Sequence, residues 1–126
     1  MDERVEGGGG IRVVRGGGGL SVENVNSKAL SMKVATIAPG GVIPAHVHVD
    51  FETMIYMLQG HVRHEYGEGC QLVMENSAGD FIYIEPGVPH EVFNLSASEP
   101  AVAVIARSAA DEWEQTIPYD RGIAFG

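Results

Sequence analysis

His46 and His48 are separated by a single valine, and that spacing is where chemistry is most readily built. On a β-strand side chains repeat with period two, so both imidazoles project from one side, about 7 Å apart along the backbone. Two imidazoles so placed converge on one ion lying between them. Glu52 follows four residues after His48, keeps that parity and offers a hard oxygen ligand. His90 lies 38 residues beyond Glu52, on what reads as a later strand that antiparallel pairing can bring alongside. Three imidazoles and one carboxylate suit Mn, Fe, Co, Ni, Cu or Zn and suit Ca or Mg poorly. The expected cofactor is therefore one divalent transition metal held by His46, His48, Glu52 and His90, its identity left open by the ligand set. Four protein ligands leave one or two positions of an octahedral ion open, as a catalytic metal requires and a structural one does not.

Other polar residues are weaker candidates. His61 and His64 stand three apart, which puts them on opposite faces of a strand and rules out joint chelation. Both read as surface or packing residues, with His64 the better placed to point into an interior cavity and support the metal ligands. Tyr56 and Asn94 are the other two candidates for that supporting role, Asn94 because it shares parity with His90. Tyr56, Tyr83, Met57 and Phe93 read first as packing, and Asp50 as a solvated turn residue. Cys70 has alternating apolar partners in Leu72 and Met74 and reads as a small core residue. No residue is assigned a catalytic role.

These side chains need a scaffold of short strands, and the chain supplies one from residue 29 onward. Ala29 to Ala38 alternates, with Leu30, Met32, Val34 and Thr36 on one face, and closes at the Pro39-Gly40-Gly41 turn. Thr53 to Gln59 is an apolar run ending at Gly60. Val62, His64 and Tyr66 alternate after it, and Cys70, Leu72 and Met74 share a face in the next run. Asp80 to Glu85, Glu91 to Leu95 and Ala101 to Arg107 complete the series. Strands at this spacing, with no long helical stretch among them, predict an all-β antiparallel sandwich or barrel. Only Asp111 to Gln115 suggests a helix, of one or two turns, with Ser108 and Asp111 as its capping box and Pro118 as its stop. The two runs Gly7 to Gly10 and Gly16 to Gly19 read as loops, because four consecutive glycines lose much backbone entropy inside an element. Ile11 to Arg15 between them reads as an edge strand. The expected organisation is a glycine-rich segment over 1–28, a barrel over 29–107, and a short helix and tail over 108–126.

With the histidines set in this frame, the sequence resembles the cupin superfamily. The family's first motif is a glycine, five residues, His-x-His, three or four residues, a glutamate, six residues and a glycine. Here Gly40, His46, His48, Glu52 and Gly60 follow it, with seven residues between Glu52 and Gly60. The second motif is a glycine, five residues, Pro-x-Gly, two residues, a histidine, three residues and an asparagine. Here it appears as Gly79, Glu85-Pro86-Gly87, His90 and Asn94, with Glu85 where the family usually carries proline. The motifs cover residues 40 to 94. The longer spacer puts Thr53 in the alternative ligand register. Strand parity with His48 and the poor ligand chemistry of threonine beside a carboxylate favour Glu52. The resemblance implies a double-stranded β-helix, the jelly-roll barrel of the family, and the same four metal ligands. It also implies a homodimer, because small barrels of this kind expose sheet edges and commonly bury them against a partner.

Composition narrows the function classes. Eight Lys and Arg against 17 Asp and Glu give a formal charge of -9, which repels phosphate backbones and anionic lipid surfaces alike. Neither a nucleic acid nor a membrane is an expected partner, and no apolar run reaches the length of a membrane span. A single cysteine and an N-terminus without a secretory pattern suggest a cytoplasmic location. The partner that remains is a small-molecule substrate or ligand. The leading expectation is a metal-dependent enzyme, with dioxygenase or other oxidoreductase chemistry first among those the resemblance implies. A metal-dependent isomerase, lyase or cyclase, or a non-catalytic ligand-binding barrel, is the alternative.

Overall fold

The computed structural model describes residues 3–110 and 116–121 of the chain. It opens on a hairpin of β1 (Arg4–Gly8) and β2 (Ile11–Arg15), paired from Arg4 with Arg15 to Gly8 with Ile11. Gly9 and Gly10 turn it with φ of 64° and 93°, values that a two-residue hairpin loop demands and glycine adopts freely. The first glycine run is therefore only half loop. Gly7 and Gly8 lie in β1, where cross-strand pairing to Arg12 and Ile11 offsets their entropy. The second run likewise ends inside β3 (Gly19–Leu20), which pairs with Lys33 and Met32. A one-turn helix absent from the sequence reading, α1 (Val22–Val25), follows. Ser21 Oγ accepts from the Glu23 amide, the Asn24 side chain accepts from the Ser21 amide, and Asn26 ends the turn in the left-handed region.

The remaining strands are β4 (Ser31–Ile37), β5 (Val42–His48), β6 (Thr53–Gln59), β7 (His61–Tyr66), β8 (Leu72–Ser77), β9 (Phe81–Ile84), β10 (His90–Asn94), β11 (Ala101–Arg107) and β12 (Thr116–Pro118). With β3 they form two five-stranded antiparallel sheets, one ordered β12-β5-β10-β7-β8 and the other β3-β4-β11-β6-β9. From β4 to β7 and from β8 to β12 successive strands alternate between the sheets, while β3-β4 and β7-β8 pair within one, and the fold is the double-stranded β-helix. The core between the sheets is Ile55, Met57, Val62, Ile82, Ile84, Val92, Ala101 and Ile105. Gly60 links β6 to β7 with φ of 98°, and a Cβ there would meet the Ala101 Cα at 2.8 Å, so the last glycine of the first motif is needed on two counts.

Of two sequence expectations about faces, the shared face of Met32, Val34 and Thr36 holds and that of Cys70, Leu72 and Met74 does not. The apolar face of β4 that carries Met32, Val34 and Thr36 turns outward, and Ser31, Lys33, Ala35 and Ile37 turn in. Cys70 is buried, but in a 3-10 turn (Glu68–Cys70) at a left-handed φ of 54°, and Leu72 and Met74 are exposed on β8. The three do not share a buried face, because the turn breaks the alternation between them.

The predicted helix over 111–115 lies outside the described residues. Thr116 to Pro118, which follows that helix and includes its expected stop at Pro118, pairs as an edge strand with His46 to His48. Beyond it Tyr119 and Arg121 tie the chain to the barrel. Tyr119 Oη accepts from the Gly69 amide, and Arg121 bridges Glu65 and Glu91 at 2.7 Å each. No helix among the described residues is long and apolar enough to cross a membrane.

Candidate metal centre

His46 and His48 sit on β5 and His90 opens β10, the neighbouring strand, where His90 pairs directly with His46. Between the His46 and Ile43 pairings the register slips by one residue, at Pro44 and Ala45, so that both His46 and Ile43 reach the interior. Proline is at home at such a bulge, since it has no amide to donate to a ladder. The Pro86-Gly87 turn of the second motif docks on the first, with the Gly87 amide donating to the His48 carbonyl at 2.7 Å. As a result the three rings lie with centroids 4.2–4.9 Å apart.

Each imidazole is oriented from behind by an oxygen. His46 Nδ1 donates to the Pro44 carbonyl at 2.8 Å, and His90 Nδ1 to the Val88 carbonyl at 2.9 Å. His48 Nδ1 lies 3.0 Å from Thr53 Oγ1, which is itself buried. Because a carbonyl only accepts, His46 and His90 carry their proton on Nδ1 and their lone pair on Nε2; the Thr53 hydroxyl is able to accept from His48 Nδ1, which is compatible with the same tautomer there. Phe51, only 1% exposed, stacks on His48 at 4.7 Å. One ligand atom from each histidine lies within 4.8 Å of the others. Neutral imidazoles, held with free lone pairs facing one another, fit a metal ion.

Glu52 is not brought to this group. It is exposed, and its carboxylate accepts the Tyr83 hydroxyl at 2.6 Å, which raises the pKa of that hydroxyl. Strand parity from His48 does not reach Glu52, because residues 49–52 form a loop and a loop does not preserve strand alternation. Thr53, the alternative register, is the residue that turns inward, and it meets a histidine rather than an open coordination position. The same offset decides Tyr56, which lies on the outer face against Phe81 at 4.5 Å. Asn94 is buried as expected but serves the opposite end of β10. Its amide donates to the carbonyls of Ile37, Ala38 and Glu99, tying two turns together. His64 does line the cavity beside the three histidines, with Nδ1 held 2.9 Å from Asn76 Oδ1, whereas His61 faces out and pairs with Glu75 at 2.7 Å.

The cavity in front of the histidines has a volume of about 390 Å³. Its wall on the sheet facing the histidines includes Lys33 and Arg107, which the sequence reading did not single out. Their inward direction was available from the parity of Ala35 and Ile37 on one strand and Ala103 and Ile105 on the other. Burial pushes the pKa of His48 down to about 3 and that of His90 to about 4, with neighbouring imidazoles adding to the effect. His46 and His64 are lowered too, chiefly by burial. All four are neutral at pH 7, and the charges of Lys33 and Arg107 reinforce this at His46 and His48.

Residues 33–106 match the family described as Cupin domain. Among solved structures, an uncharacterized conserved protein with a double-stranded β-helix domain from Klebsiella pneumoniae is similar at 22% identity and a TM-score of 0.65, over 75% of this chain and 77% of that one. The oxalate decarboxylase of Lactobacillus farciminis, solved as a formate complex, is similar at 21% identity and a TM-score of 0.68, over 79% of this chain but 30% of its own. A recombinant oxalate oxidase in complex with glycolate is similar at 20% identity and a TM-score of 0.64, over 79% of this chain and 52% of that one. At these identities the likeness concerns the fold alone. No curated protein matches.

Proposed function

The chain belongs to the cupin domain family, and on that premise we propose that it is a metal-dependent enzyme acting on a small organic molecule, with oxidoreductase chemistry of the dioxygenase type. One observation carries the reading. Three neutral imidazoles, each oriented through Nδ1, face one another at the wall of a cavity of about 390 Å³, large enough for a small substrate. His46, His48 and His90 would hold a divalent transition metal, which would supply Lewis-acid chemistry at the cavity wall. The chain's own part is to hold those ligands neutral, to enclose the reacting group in a largely apolar wall, and to present His64 as a neutral imidazole able to take a proton. The test is oxygen uptake by untagged protein reconstituted with Fe or Mn, against a panel of small organic molecules. Uptake coupled to substrate loss is expected. Turnover that persists without oxygen, and with Zn or Ni, favours the isomerase, lyase or cyclase alternative. Ligand binding with no turnover under either condition favours a binding barrel.

We propose a second copy of this chain as its protein partner, through the outer face of the sheet β3-β4-β11-β6-β9. That face presents Met32, Val34, Met54, Leu58, Phe81 and Tyr83, all about half exposed or more, with Val102, Val104 and Ala106 on the strand between. Among the described residues its strands turn no charged side chain outward, in a chain whose charge is -9, and the Glu52 carboxylate on Tyr83 stands at its rim. A sheet face that meets water ordinarily alternates to polar residues. Two copies meet over this apolar centre with Glu52 left at the rim, and a two-fold contact uses the same patch twice. Phe81, 82% exposed, stands at the edge of the patch. Phe81→Glu is expected to convert a dimer of the 13.4 kDa chain to monomer in light scattering, with the circular dichroism spectrum unchanged. A wild-type monomer at micromolar concentration overturns the proposal.

A further inference from the structure

We propose that the cavity beside the three histidines binds a small organic carboxylate, recognised by Lys33 and Arg107. This rests on the site described above, and it names the class of molecule that the site takes. The cavity is enclosed by both sheets, and they contribute differently. The histidines project from β5 and β10, on one sheet. Lys33 on β4 and Arg107 on β11 project from the other, where Lys33 pairs with Ile105 and Arg107 with Ser31. The two cations are thus diagonal neighbours on adjacent strands, within reach of one ligand group. Face-packed sheets stand about 10 Å apart. A molecule of a few carbons can therefore span from the cations to the histidines.

The charge pattern is selective. The chain has only eight Lys and Arg against 17 Asp and Glu. Yet two of the eight line this cavity, and among the described residues no Asp or Glu does. Both cations are partly buried, where an ionic contact is screened less than in open water. Each also has a partner within the chain, which an incoming anion joins or exchanges with. The rest of the wall, including Ala35, Ile43, Ile55 and Val92, is aliphatic. An inorganic anion leaves that surface unfilled, whereas a carboxylate on a short hydrocarbon body covers it. The planar fork of arginine matches a carboxylate in two parallel hydrogen bonds, and lysine adds a point charge beside it.

The experiment is calorimetric titration of the full chain, with and without added Zn, using butanoate, its neutral analogue butanamide and inorganic phosphate. The variants are Lys33→Met, Arg107→Met and Arg107→Lys, with metal content measured on each preparation. Butanoate is expected to bind wild type at least about tenfold more tightly than butanamide or phosphate. Each methionine variant should lose about tenfold or more, while metal content stays at the wild-type level. Arg107→Lys should fall between, since it keeps the charge and loses the fork. Butanoate binding no tighter than butanamide, or unchanged in both methionine variants, overturns the inference even where metal binds as proposed. Phosphate binding as tight as butanoate overturns its organic part. If wild type takes up no metal but still binds butanoate through Lys33 and Arg107, the metal reading fails and the carboxylate site stands.

Discussion

His90→Ala is expected to lower metal affinity by at least about 100-fold and to leave the purified chain without stoichiometric metal, while Glu52→Gln leaves metal content unchanged. A four-ligand structural zinc site is worth roughly 10–16 kcal/mol, so each ligand accounts for about 3 kcal/mol, or about two decades in affinity. Where three ligands carry the ion the loss of one is felt at least as strongly. His90 is the sharpest choice because it comes from a different strand than His46 and His48 and fastens the two motifs. Glu52 is the matched control, since its carboxylate is engaged by Tyr83 on the exposed side. Thr53→Val sits between them. It keeps the packing but removes the oxygen behind His48, and a lost partner of that kind costs roughly 10–100-fold in affinity. Elemental analysis and chelator competition separate the three outcomes. Full metal content in His90→Ala removes the triad as the site, and loss of metal in Glu52→Gln returns the carboxylate to the ligand set.

How much of this was legible beforehand depends on how far strand parity carries. Within one strand it carried well. His46 and His48 fall on one side, His61 and His64 on opposite sides, and Thr53 to Gln59 and Ala101 to Arg107 form strands with the expected bounds. It failed across Val49 to Glu52, where the chain leaves one sheet for the other. A one-residue slip there moved Glu52 out, Thr53 in and Tyr56 to the outer face, a single error with three consequences. On β4 the alternation was visible but its direction was not. Its apolar face, with Met32 and Val34, is outward, and Lys33 faces the cavity. Hydrophobicity points a strand toward burial, and where the outer face of a sheet is also apolar the rule has no purchase. Arg107 closes an apolar strand in the same way. The oxygens behind the histidines were beyond reach for another reason. Two of them are backbone carbonyls, at Pro44 and Val88, which belong to no residue type.

Acid is expected to weaken the metal-free wild-type fold more steeply than the metal-free His48→Gln chain. An imidazole in the unfolded chain titrates near 6.5, whereas in the fold burial holds His48 to about 3 and His90 to about 4. Between those limits the unfolded chain takes up a proton that the native chain refuses, so unfolding gains free energy as pH falls. The contribution of neutral His48 to stability is therefore complete above about pH 6.5 and is lost progressively toward its folded value, at up to about 1.4 kcal/mol per pH unit. Carboxylates titrate in both chains and cancel in the comparison. Urea midpoints at pH 7, 6 and 5 in the presence of a chelator measure the difference in slope, and equal slopes mean that His48 titrates normally in the fold. The same depression bears on the loaded protein. His48 and His90, already neutral, have no proton to surrender at pH 6 to 8, so their share in metal affinity should be flat across that range and fall only in stronger acid. The burial that makes this site costly to protonate thus keeps it ready for a metal at neutral pH, and the two titrations measure one property from opposite directions.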